Sequence, residues 1–129
     1  MKRRLISSGA EWENIVGYSR AVRVGNQIEV AGTTAFRDGK VVGKGDLYAQ
    51  TKCALEIIEN ALAEAGATMA HVVRTRIFVT KIDDWEAVGR AHGEFFKNIK
   101  PASTMVEVSR LIDPDMLVEI EVTAIVPEP

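Results

Sequence analysis

The sequence predicts an α+β sandwich forming one domain over residues 1–129, on three observations. Segments of strand pattern and of helix pattern follow one another in the order strands, helix, strand, helix, strands. Both helices carry a single apolar face, and no repeat, low-complexity tract or linker divides the chain. A length of 129 residues suits one hydrophobic core, and 47% hydrophobic with 26% charged residues is an ordinary globular balance.

The first strands lie between Arg20 and Gly32. Apolar residues alternate in AVRV, Gly25-Asn26 supplies turn chemistry, and Ile28, Val30 and Gly32 resume the alternation, so an antiparallel hairpin is predicted. Residues 33–45, with the turn signal Arg37-Asp38-Gly39, read as a surface connection. Asp46 then offers an N-cap. Leu47, Thr51, Ala54, Leu55, Ile58, Ala61, Leu62 and Ala65 recur at helical spacing, and Gly66 suits the stop.

Residues 72–80 are dense in β-branched side chains and read as a strand packed on both sides, with Arg74 and Arg76 on one side. Asp83 and Glu86 resemble a capping box, after which Trp85, Val88, His92, Phe95 and Phe96 mark a second helix to about Lys97. Gly89 and Gly93 fall inside it, each at a cost of roughly 1 kcal/mol against Ala, so close packing over them is expected. Residues 104–108 and 118–126 read as the last strands, joined through Pro114, and Pro127-Glu128-Pro129 ends the sheet.

Two helices cover only one face of such a sheet. The other would carry Arg74, Arg76 and Phe78 beside Glu119, Glu121 and Ile125, a mixed face suited to solvent or to an oligomer interface.

Composition narrows the function. A net charge of −2 and a pI near 5.7 give no basic footprint for nucleic acid or an anionic membrane. With Cys53 as the single cysteine, no intramolecular disulfide can form, and a cytoplasmic location is expected. The start, MKRRLISSGAEWEN, lacks the apolar run of a signal peptide, and no stretch approaches a membrane span.

His71 and His92 lie on different elements, so no metal site is expected, and His92 on its apolar helix side reads as a hydrogen-bonded core or interface residue. Cys53 has no evident base to activate it and reads as a packing residue. Nucleophile-elbow, P-loop and dinucleotide fingerprints are absent, and an anion at Gly43–Asp46 would meet the Asp46 carboxylate. Glu119 and Glu121, two apart on a strand, point to one face with Thr123. Such spacing permits acid/base work and equally marks a charged interface.

The segment PASTMVEVSRLIDPDMLVEIEVTAIV is similar to the signature of the Rid/YjgF (reactive intermediate deaminase) family. VGYSRAV resembles the family's G-P-Y-S-x-A stretch, VGNQIEVAGTT its first hairpin, and VVRTRIFVTKIDDWEAVGRAHGEFF its middle strand and second helix. The resemblance runs from about Val16 to Val126. It implies a chorismate-mutase-like fold, a mixed sheet of about six strands with two helices on one face. It also implies a homotrimer with small-molecule clefts between subunits, and hydrolysis of enamines and imines to carbonyl compounds and ammonia without a metal or organic cofactor.

By this resemblance Glu121 matches the glutamate that positions the attacking water, Tyr18 a pocket tyrosine and Gly32 a pocket-lining glycine. One departure stands out. Where the family has a P-A-R arginine that grips the substrate carboxylate, this chain reads Pro101-Ala102-Ser103. A hydroxyl gives one neutral bond in place of two charge-assisted ones, so imino acids should bind more weakly. Gly89 stands in place of a pocket asparagine, and Met105, after Thr104, in place of a small residue. The implied substrate-binding set is therefore Gly32, Ser103, Thr104, Met105 and Gly89, with Arg76 as a candidate replacement cation near Ser103.

The reading that follows is a Rid-type pocket protein that hydrolyses imine-like metabolites with an altered range. The alternatives are a metabolite-binding or interaction trimer without catalysis and an endoribonuclease or translation inhibitor, the last opposed by the acidic pI.

Overall fold

The structure, a computed structural model, describes residues 2–127; Glu128 and Pro129, expected to close the sheet's end, lie outside the described residues. Strands β1 (Arg3–Ile6), β2 (Ala21–Val24) and β3 (Gln27–Thr33) lead into a small hairpin of β4 (Phe36–Arg37) and β5 (Lys40–Val41). Helix α1 (Glu11–Val16) sits between β1 and β2. Helix α2 (Leu47–Glu64), strand β6 (Val72–Val79), helix α3 (Trp85–Phe96) and strands β7 (Ala102–Glu107) and β8 (Val118–Ile125) complete the chain.

The main sheet has six strands in the order β1-β2-β3-β8-β6-β7, all neighbours antiparallel except the parallel pair β6 and β7. This is the mixed α+β sheet expected, with α2 and α3 over one face. The predicted hairpin forms around Gly25-Asn26, and the Asp46 carboxylate accepts from Ala49 N to cap α2. Gly66 takes the left-handed conformation just past that helix, at φ 87°.

Ile28, Leu55, Ile58, Leu62, Ile77, Phe96, Ile120 and Val122 are buried between sheet and helices. Their spacing is the apolar periodicity seen in the sequence, three and four along α2 and two along β8. Burying each of the larger ones contributes on the order of 1.5–3 kcal/mol.

Five expectations change. Residues 33–45 are not bare connection, because Asp38 and Gly39 adopt positive φ and turn β4 back on β5, burying Val41. β6 is not packed on both sides within the chain. Val72, Thr75, Ile77 and Val79 are buried, but Arg74, Arg76 and Phe78 are half-exposed, since no layer among the described residues covers their face. Asp83 does not cap α3. It lies in a short 3-10 turn over Ile82–Asp84, and the helix begins from that turn at Trp85 without a side-chain cap. Among the described residues nothing packs closely over the α3 glycines: a Cβ on Gly89 would meet the Trp85 ring at an ordinary 3.8 Å, and one on Gly93 would meet nothing within 4 Å. Finally β1 and α1 extend the sheet edge and cover where no element was expected.

Candidate functional site

The uncovered sheet face joins β3, β8 and β6. Glu29 pairs in register with Thr123, Arg76 with Glu121 and Phe78 with Glu119, so alternate residues of three strands project into one concave surface. Between Val30 and Thr33 the β3–β8 register shifts, and Gly32 lies in that irregular stretch. Glu119 crowds it: a Cβ on Gly32 would lie 2.9 Å from the Glu119 carboxyl carbon, so only glycine lets the carboxylate settle there.

Two adjoining hollows, of about 670 and 680 Å³, open on this face and share Tyr18, Ala31 and Glu121. Arg76 borders one. The other holds Gly32, Arg20 and Glu119, with an apolar wall that includes Trp12 and Phe36, whose rings stack 4.8 Å apart. Tyr18, Gly32 and Glu121, far apart in sequence, thus meet at one cleft.

Carboxyl and guanidinium groups face one another in it. Arg76 Nη1 lies 3.7 Å from Glu121 Oε1, a half-exposed pair. Arg20 donates from Nη2 to the Gly32 carbonyl at 2.7 Å and lies against the Tyr18 ring, while its Nε is buried without a hydrogen-bond partner. Burial pushes the Glu119 carboxyl above its ordinary value; Arg20 opposes that shift and Glu121 adds to it. Two carboxyls with different environments can take different roles in proton transfer.

Glu13 braces the cleft's outer wall. Its buried carboxylate accepts from the Ser7 hydroxyl and from the Ser8 amide and hydroxyl. Burial alone would raise its pKa, but those hydrogen bonds, with Arg20, outweigh it and hold the carboxyl below the ordinary range.

The remaining predicted residues stand elsewhere in the chain. Ser103 pairs in register with Thr75 and accepts a hydrogen bond from its hydroxyl at 2.8 Å, on the helix-covered side of the sheet. Arg76 points to the opposite side, to Glu121, so it does not stand beside Ser103 within one chain; the one-residue step from Thr75 reverses the face. Thr104 shares the Arg76 face and its hydroxyl accepts from Arg74 at 2.9 Å. Met105 packs against the core, and Gly89 is half-buried on α3. None of Ser103, Thr104, Met105 and Gly89 lines either hollow.

His92 is half-buried and hydrogen-bonded, 3.0 Å from the Thr75 hydroxyl and against Phe96. Cys53 is buried, and burial raises its thiol pKa, in keeping with packing. Among the described residues no His, Cys, Asp and Glu side chains gather as metal ligands, and no helix is long and apolar enough to cross a membrane.

Arg20 was missed, since in the sequence it is one polar residue at the start of a hairpin. The GYSRAV motif around Tyr18 was its only signal.

Comparison with known proteins agrees over nearly the whole chain. The family profile described as Endoribonuclease L-PSP matches residues 8–126. A crystal structure of the Mycobacterium tuberculosis protein Rv2704, a member of the YjgF/YER057c/UK114 family, superposes with a TM-score of 0.88 at 53% identity, covering 97% of this chain and 100% of that one. A Yersinia pestis protein of the Rid family superposes at 0.86 with 32% identity, over 97% of this chain and 100% of that one. A RutC family protein of Pyrococcus abyssi is 40% identical over 109 residues, 83% of this chain and 84% of its own length.

Proposed function

Since the chain belongs to the Endoribonuclease L-PSP family, the YjgF/Rid group, we propose that it is a cytoplasmic homotrimer that hydrolyses imine- or enamine-type metabolites to carbonyl compounds and ammonia. The observation that carries this reading is the meeting of Tyr18, Gly32 and Glu121 at one cleft beside Glu119. Exposed Val106 and Ile125, with half-exposed Phe78, give the open face the apolar content that suits a second and third copy. In that assembly Ser103, Thr104, Met105 and Gly89 of one chain would complete the cleft of another.

The chemistry needs little help, because C=N carbon is already electrophilic. Glu121 holds a water and takes its proton as the C–O bond forms, and the C=N π pair moves to nitrogen. Glu119, whose carboxyl keeps its proton to higher pH than usual, supplies a proton to that nitrogen. The carbinolamine then collapses: Glu121 passes the proton it took from water to the nitrogen, the C–N bond breaks as the O–H pair forms C=O, ammonia leaves, and the hydroxyl proton goes to Glu119, restoring the starting state. Tyr18 donates a hydrogen bond to the substrate. With Ser103 in place of a gripping arginine, substrates bearing a free carboxylate are held weakly.

Enzymatically generated 2-iminopropionate tests both parts. The protein is expected to speed its decay over buffer, and Ser103→Arg to lower KM for it about tenfold or more, the scale of a regained charge-assisted bond. A protein that leaves every imine tested at the buffer rate, alone and as Ser103→Arg, is a binding protein and not this enzyme. Cleavage of RNA would favour the ribonuclease reading, against the net charge of −2.

A further inference from the structure

Behind the exposed Ser103 stand two polar side chains, Thr75 and His92, that the proposed hydrolysis does not use. Thr75, fully buried on β6, donates its single hydroxyl proton to Ser103 Oγ at 2.8 Å. That leaves Thr75 only lone pairs for His92 Nε2, which stands 3.0 Å away on α3. A donor chain that runs outward from His92 through Thr75 to Ser103 requires the His92 proton on Nε2. It also leaves the Ser103 hydroxyl proton unspent, at an exposed position on an edge strand of the sheet.

We propose that His92 and Thr75 position Ser103 as a fixed hydrogen-bond donor for an uncharged ligand oxygen, a carbonyl or amide. The inference rests on the trimeric cleft proposed above, which brings Ser103 to the ligand. Each donor in such a chain polarises the next, so the last hydroxyl is a better donor than an isolated serine. No cation joins the chain, so nothing in it compensates the desolvation of a carboxylate. Burial favours the neutral imidazole, lowering the His92 pKa, which keeps the donor chain uncharged. The flank of α3 beside His92 is open as well: Gly89 and Gly93 place no side chain there, and a Cβ on Gly93 would touch nothing.

The test uses the full chain and two stable probes, pyruvamide and pyruvate, which differ in amide against carboxylate. Nitrogen NMR of the wild type should show His92 neutral with the proton on Nε2. Titrations should favour pyruvamide over pyruvate by about five- to tenfold, the scale of one uncharged hydrogen bond. Ser103→Ala on the exposed strand and the near-isosteric Thr75→Val should both bring that ratio close to one. An unprotonated Nε2 overturns the inference, because the chain would then run inward from Ser103. An unchanged ratio in both variants overturns it too. Neither readout requires turnover, so a protein inert toward imines but selective for pyruvamide would refute the hydrolase and keep the donor chain.

Discussion

β6 and β8 present two unlike surfaces a single residue apart. Ile77, Ile120 and Val122 are buried beneath the helices, whereas Arg76, Glu119 and Glu121 on the same strands line an open cleft. One set holds the fold together and the other carries charge that solvent or substrate can reach. The pleat makes this division possible, since alternate side chains leave a strand in opposite directions and can change independently. Chemistry on the cleft side can therefore be altered at small cost to the fold.

The sharpest way to break this contrast is to exchange neighbours. Ile120→Ala should cost about 2–5 kcal/mol in urea denaturation, as for other large-to-small core changes. Glu121→Gln should cost no more than about 1 kcal/mol, because its half-exposed pair with Arg76 is screened. Equal losses would show that the two sides do not divide the labour.

Gly32→Ala lies on the border between them. The new methyl must displace the flexible Glu119 carboxylate, so stability should fall by only about 1 kcal/mol, the low end for overpacking, while imine hydrolysis falls further. Unaltered hydrolysis would remove Glu119 from the account.

The smallest effects are in pH. Burial raises the Glu119 pKa in the folded state, so its contribution is present below the unfolded value and is lost as pH rises through the folded one. Glu13 is the reverse: its lowered pKa gives stability above the unfolded value that disappears as pH falls through the folded one. Glu119→Gln should thus gain on wild type as pH rises from about 4 to about 8, and Glu13→Gln should lose ground as pH rises from about 2 to about 5. Matching slopes in denaturation profiles would contradict the two assignments.

How much of this was legible in the sequence depends on what each feature needs from its surroundings. Helix α2 was readable residue by residue, because Leu55, Ile58 and Leu62 bury one stripe and Asp46 caps it locally. α1 was not, since it buries only Glu13 and shows no apolar period. The trio Tyr18, Gly32 and Glu121 came from motif resemblance, and the fold brings the three to one cleft although they are far apart in sequence. Which way Ser103 faces was beyond the sequence, because a shift of one residue between β7 and β6 would have turned Thr104 toward Thr75 instead. Arg20 stayed hidden for a similar reason: its partner is the Gly32 carbonyl, across the hairpin.

The central claim is that the open side of β8 performs hydrolysis through Glu121. Its most direct test is the decay of an imine the wild type accepts, followed with wild type and Glu121→Gln whose circular dichroism spectra and midpoints of unfolding agree. The account expects the variant to lose about 100-fold or more in kcat/KM, the scale of a missing general base. A variant that folds like the wild type and retains its rate to within about twofold, well inside that scale, would contradict it.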